Sequence, residues 1–227
     1  MTAAGVHESA PQAAHAPIAG HPVTAGARLA WLYLTSRRAP AAAGLLAALG
    51  AVLWAALYWH WNIAGGRAAQ LFIPLVIETG IAAVIVVTTY GPFGDPERAT
   101  GRWLPWLRLG APVVLTAAGV GALAAGASAG LMPGGSLAWV RNLAGMVGVG
   151  LLCAVVLGGA FAWAAPMAYL IVSEGALVRG WTTPWAWAAR PPHDFGGALC
   201  AAVVFAGGLA AFTLLGARDS GRLAVRE

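Results

Sequence analysis

Lysine is absent from this 227-residue chain, and charged residues of every kind make up only 9% of it. A soluble globular domain carries about 25% charged residues. No polar stretch reaches the ~100 residues of a separate soluble domain. There are only two cysteines, Cys153 and Cys200, both inside apolar runs. That placement argues against a disulfide framework and against a CxxC metal or redox site. What fills the chain instead is apolar: 59% of residues are hydrophobic, with a mean hydropathy of +0.74. These figures exclude a disordered protein, a nucleic-acid-binding domain and an ordinary soluble enzyme. They describe one polytopic, all-α membrane domain.

Several catalytic signatures are also missing. There is no HExxH of a zincin-type protease. There is no GxSxG for acyl transfer, and no Walker A motif or lysine to complete one. Only one histidine, His60 at the end of the first apolar run, lies inside a run, whereas a bis-histidine haem needs two. On its own the chain reads as neither an enzyme nor a cofactor or metal protein.

The net charge is +5 and all thirteen basic residues are arginine. They are scattered at the ends of apolar runs, so anionic lipid headgroups suit them better than nucleic acid. Residues 1–25, rich in Ala, Pro and His without periodicity, read as a disordered tail, and 219–227 as a short C-terminal tail. His7, His15 and His21 are too widely spaced for a metal site. Residues 27–38, ARLAWLYLTSRR, combine Trp31 and Leu32 with Arg28, Arg37 and Arg38, as an interfacial amphipathic helix does. The Arg37-Arg38 pair does not begin a twin-arginine export signal. The apolar run after it is too long for a signal h-region of about 7–15 residues, and more runs follow.

Six apolar runs can be drawn within 26–218: 41–61, 68–90, 108–131, 139–158, 160–178 and 196–217. Each is close to the ~20 helical residues that cross ~30 Å of hydrocarbon. Helices satisfy every backbone polar group within the segment, and no period-2 alternation suggests a barrel. The fourth and fifth runs, divided by Gly158-Gly159, predict a tight helical hairpin, with Pro166 interrupting the fifth. With six spans and a cytoplasmic N-terminus, nine arginines fall inside and four outside. The positive-inside rule therefore predicts both termini on the cytoplasmic side of the cell inner (plasma) membrane.

Two connections are more than turns. On the cytoplasmic side, GPFGDPERATGRWLPWL (91–107) mixes Asp95, Glu97, Arg98 and Arg102 with Trp103 and Trp106. Pro96 suits the first turn of a short helix capped by Asp95. On the outer side, 175–195 carries Trp181, Trp185 and Trp187 with three prolines. Indole rings favour the headgroup level, so these tryptophans are expected to anchor the segment at the outer interface, as Trp31, Trp103 and Trp106 do elsewhere.

Glu78 lies in the middle of IPLVIETGIAAV. An ionised side chain at bilayer depth costs ~2.5–3.5 kcal/mol on insertion scales, so it must face protein, a partner or water. It is either a residue of a translocation path or gate, with Thr79 beside it, or a structural carboxylate hydrogen-bonded to a neighbouring helix. Pro74 should bend its helix one turn earlier. Arg141 is expected to snorkel to the outer headgroups. The alternative is an inward ion pair with Glu78 or with Glu174, which is placed at the outer boundary. Glycines crowd the third and fourth runs, and Gly126 and Gly130 fit GxxxG; they predict close packing within the bundle rather than a dimer seam.

The order of these features resembles the permease subunits of type-2 ABC exporters. That family has six spans, cytoplasmic termini, an amphipathic helix before the first span, a cytoplasmic coupling helix between spans two and three, and a membrane-dipping element between spans five and six. The matching stretches here are 27–38, 92–107 and the Trp-rich 180–190. The resemblance implies a half-transporter that pairs with an identical or different permease and recruits separate ABC ATPase subunits, which carry the ATP. Asp95, Glu97, Arg98 and Arg102 would then meet the ATPase, and a hydrophobic or amphipathic cargo would move outward. A non-transporting membrane anchor or assembly subunit is the other reading of the same features.

Overall fold

In the computed structural model, residues 39–59, 67–89, 104–130 and 135–218 are described. The tails, the interfacial helix with Trp31, and the segment holding Asp95, Glu97, Arg98, Arg102 and Trp103 lie outside these residues.

Every regular element among the described residues is helical. Its six long helices are α1 (Ala39–Tyr58), α2 (Arg67–Thr89), α3 (Leu104–Gly126), α4 (Gly135–Val156), α5 (Ala164–Arg179) and α6 (Phe195–Leu215). Six stretches are long and apolar enough to cross a membrane: Pro40–Tyr58, Gln70–Thr89, Arg108–Ala129, Gly135–Val156, Gly159–Arg179 and Phe195–Leu215. Their limits lie within a few residues of the apolar runs. The protein is a polytopic integral membrane protein.

α4 is the central helix, buried on all sides along most of its length. Its most extensive contact is with α6, and it also touches α2, α3 and α5. α6 is apolar all round, yet only Gly197, Ala201, Gly208 and Phe212 are buried. Their spacing of four, seven and four residues makes one helical stripe facing α4. Large apolar side chains elsewhere, such as Leu45, Val76, Val114, Val203 and Leu214, are exposed, as a lipid solvent allows.

Small residues set the distances between helices. A Cβ on Gly148 of α4 would lie 2.6 Å from the Val204 carbonyl oxygen and the Phe205 Cα of α6. A Cβ on Gly126 of α3 would lie 2.7 Å from the Gly50 carbonyl oxygen of α1, and Gly130, one turn on, borders Leu57. The GxxxG pair thus faces α1 inside the bundle. Where lipid supplies no hydrophobic drive between helices, such close backbone approach supplies the van der Waals contact.

The α4–α5 hairpin turns at Gly158, whose φ of 102° favours glycine. A 3-10 turn, Gly159–Phe161, follows, and its Phe161 carbonyl accepts from Cys153 Sγ at 3.2 Å. Pro166 does not interrupt the fifth span as expected. It lies in the first turn of α5, where no intrahelical N–H is required. α2 runs past Pro74 without a break in its helical assignment, Arg67–Thr89.

Three threonine hydroxyls inside the spans are satisfied locally, whereas those of Ser173 and Thr213 are buried without a hydrogen bond. Thr79 Oγ1 donates to Leu75 O at 2.7 Å, Thr88 to Val84 O and Thr116 to Pro112 O, both at 2.6 Å. Each bonds back into its own helix, which removes the cost of a bare hydroxyl in lipid.

Substituting Gly148→Ala, where backbone is the obstacle, should lower stability by about 1–3 kcal/mol. Gly121→Ala meets nothing within 4 Å and should not be destabilising. Thermal unfolding of the two variants in mild detergent compares them; equal midpoints would show that the α4–α6 contact is looser than described.

Candidate functional site

Glu78 sits eight residues after Gln70, about 12 Å into its span at 1.5 Å per residue. It is 3% exposed. Its partner comes from α4: Asn142 Nδ2 donates to Glu78 Oε2 at 3.1 Å. Asn142 Oδ1 in turn accepts from Arg141 Nε at 3.3 Å. Arg141 then reaches a third element, donating from Nη1 to Pro191 O at 2.9 Å and from Nη2 to Arg190 O at 3.3 Å. A chain of hydrogen bonds therefore runs from a carboxylate in α2, through an amide and a guanidinium of α4, to the carbonyls of the α5–α6 connection.

Arg141 does not snorkel to headgroups as expected; it is 6% exposed. Nor does it pair directly with Glu78 or Glu174 among the described residues. It lies only six residues into α4, about 9 Å, level with the connection that folds over it. Backbone carbonyls there serve the role headgroups would otherwise take. Glu174 is partly buried in the last turns of α5, and its Oε1 is sealed without a hydrogen bond.

The connection 180–194 forms a cap. Gly180 ends α5 with φ 66°. A 3-10 turn, Trp187–Ala189, is then driven inward. Trp187 stacks on Tyr169 with ring centroids 4.4 Å apart. It fills space left by Gly145, where a Cβ would come 2.6 Å from the indole. Tyr169 Oη donates to Trp185 O at 3.2 Å and accepts from Ala188 N at 3.3 Å. Of the three cap tryptophans, Trp181 and Trp185 are exposed and pack edge to face. Trp187 departs from the expected interface position: it is 3% exposed and part of the core. Trp106, at the start of α3, is 68% exposed.

The cap closes on α6 through Asp194, which sequence reasoning missed. Its Oδ2 accepts from Gly197 N at 2.5 Å, capping the helix. Arg190 forks onto the same carboxylate, Nε to Oδ2 at 2.6 Å and Nη2 to Oδ1 at 2.5 Å. The Asp-Phe-Gly-Gly order after two prolines was the available signal, since Asp directly before an apolar run is a common N-cap. The Arg190 hydrogen bonds, then the Gly197 N–H, hold the Asp194 carboxyl below its ordinary value. The carboxylate in turn raises Arg190.

Between α2, α4 and the cap lies a partly open cleft of about 280 Å³. Leu71, Pro74, Leu75, Ala138 and Ala188 give it apolar walls, while Gln70, Glu78, Asn142, Arg141 and Arg190 supply polar groups. Thr79 is buried behind Glu78, with its hydroxyl 3.3 Å from Met146 Sδ. No cluster of three or more His, Cys, Asp or Glu suited to a metal occurs among the described residues. Comparison with family models, with curated proteins and with solved structures finds no match.

Two outcomes follow. Asn142→Ala removes the amide shared by Glu78 and Arg141 and should cost about 1–3 kcal/mol, since both lose a buried partner. Thr88→Ala, which removes only a bond within its own helix, is the control and should cost about 0.5 kcal/mol or less; thermal unfolding in detergent measures both. Asp194 is held low in the folded state, so its contribution is present above the ordinary carboxylate value, about 3.9, and is lost as pH falls through the lower folded one. Exchange of the Gly197 amide should quicken on that descent in the native chain and be pH-insensitive, apart from intrinsic exchange, in Asp194→Asn.

Proposed function

We propose that the chain is the membrane-spanning permease subunit of an ATP-driven exporter of the type-2 ABC kind. The observation that carries the reading is the cap. A segment between the fifth and sixth helices folds back among α4, α5 and α6, in the place where the resemblance calls for a membrane-dipping element. The even number of candidate spans supports it too, because alternating crossings would bring both ends of the bundle and the α2–α3 connection to one side. Arg218 N donates to Ala154 O at 3.1 Å at that side, joining the end of α6 to the end of α4.

On this reading the cap faces outward and the α2–α3 connection faces the cytoplasm. Asp95, Glu97, Arg98 and Arg102 meet a soluble ATPase there, with Trp103 and Trp106 holding the segment at the interface. ATP binding on that partner shifts the equilibrium between two packings of a pair of permeases. Glu78 and Thr79 line or border the path of a hydrophobic or amphipathic cargo.

Purification from native membranes in mild detergent should bring down an ATPase chain in stoichiometric amount. Replacing Asp95 and Arg98 together should abolish its stimulated ATP turnover while leaving expression intact. Unchanged turnover would remove the coupling role. A stoichiometric partner without ATPase activity would favour the assembly-subunit reading.

A further inference from the structure

The cleft beside Glu78 has a chemistry of its own, independent of the transporter reading. Its polar groups are not equally committed. Arg190 is neutralised by the forked bond to Asp194. Arg141 has donated from Nε and both terminal nitrogens to protein oxygens, and those terminal nitrogens are turned to the cap. Asn142 stands between Arg141 and Glu78 and gives its amide to Oε2. The one hydrogen bond to Glu78 is at Oε2, which leaves Oε1 without a partner among the described residues, and Glu78 lines the cleft. Arg141 keeps its positive charge but meets Glu78 only through Asn142, so no cation bonds this carboxylate directly among the described residues.

The walls decide which kind of counter-charge fits. Leu71, Pro74, Leu75, Ala138, Ala188 and Pro192 surround the carboxylate with apolar surface. A hydrated inorganic ion finds only the side-chain oxygens of Glu78, Gln70 and Asn142 there, the last already accepting from Arg141, too few to replace its water. A volume of about 280 Å³ is just below that of drug-sized ligand sites, which run about 300–1,000 Å³ and combine apolar walls with a few placed polar groups, and so suits a smaller molecule. We infer that the cleft between α2, α4 and the cap binds a small amphipathic amine, its ammonium on Glu78 Oε1 and its apolar body along Pro74, Leu75 and Ala188.

Binding then requires the ionised carboxylate, so amine and proton compete. The other charged or titratable groups facing the site are Arg141 of α4 and Arg190 with Asp194 of the cap, with Tyr169 of α5 beyond Arg141. The arginines and the tyrosine keep one charge state through the acid range in which a carboxylate titrates. Asp194 is engaged by Arg190 and Gly197. Acid should therefore weaken the amine through Glu78, by about tenfold per pH unit below its titration.

The test uses the full chain in nanodiscs of uncharged lipid, with 4-phenylbutylammonium as probe and calorimetry as readout. The neutral isostere 4-phenylbutanol should bind at least about tenfold more weakly, a difference of about 1.4 kcal/mol. Glu78→Gln should lose the amine to the same extent, and the native chain should lose it on acidification. Because the isostere and the pH series use the native chain, the proposal stays testable even if the variant does not fold. Equal binding of amine and alcohol would overturn it. So would unchanged affinity in a folded Glu78→Gln, or an absence of amine binding at any pH, which would leave Glu78 a proton site only. None of these readings involves an ATPase, so the transporter proposal stands or falls separately.

Discussion

A carboxylate near the middle of a membrane span has to be satisfied inside the protein, and in this chain that demand joins three elements. Glu78 of α2 accepts from Asn142 of α4. Arg141, the residue before it, donates to the carbonyls of Arg190 and Pro191. Neither charged group is left to lipid. The cap is therefore fixed to the helix pair by the same polar groups that let those helices tolerate charge. Its other fastenings, Trp187 on Tyr169 and Asp194 at the start of α6, hold it from the opposite side, against α5 and α6.

The rest of the bundle follows from the solvent. Lipid tails match leucine, so helices associate by close fit and not by burial from water. Gly148 against α6 and Gly126 against α1 permit that fit, and α4 becomes the buried axis on which α2, α5 and α6 are arranged. Together they leave one polar cleft at the level of Glu78, bounded by α2, α4 and the cap. The amine site and the exporter role both draw on that arrangement, the first through the unbonded oxygen and the second through the cap.

The spans were legible because a single quantity, the length of an apolar run, is set directly by bilayer thickness. The hairpin at Gly158-Gly159 was legible for the same reason, since about forty apolar residues cannot make one crossing. The role of Glu78 as a hydrogen-bonded partner of another helix was one of two readings left open, and the bond to Asn142 now gives it content. What the sequence did not reveal depended on helix rotation and on loop folding. Apolar runs have no polar face to show which way Arg141 points. Trp187 reads like Trp181 and Trp185 until Gly145 opens a slot for it. Asp194 is two residues past a Pro-Pro pair, and its pairing with Arg190 four residues back is visible only once the cap has formed.

The continuity of the Glu78–Asn142–Arg141 chain is tested most directly by a double-mutant cycle between its two ends, Glu78→Leu and Arg141→Leu, read as unfolding free energy in detergent. Residues within one hydrogen-bonded network show coupling of about 0.5–3 kcal/mol. The account predicts a coupling in that range, because the first substitution already strands the groups that the second removes. Costs that add within about 0.3 kcal/mol would mean that the carboxylate and the guanidinium are independent, and would contradict it.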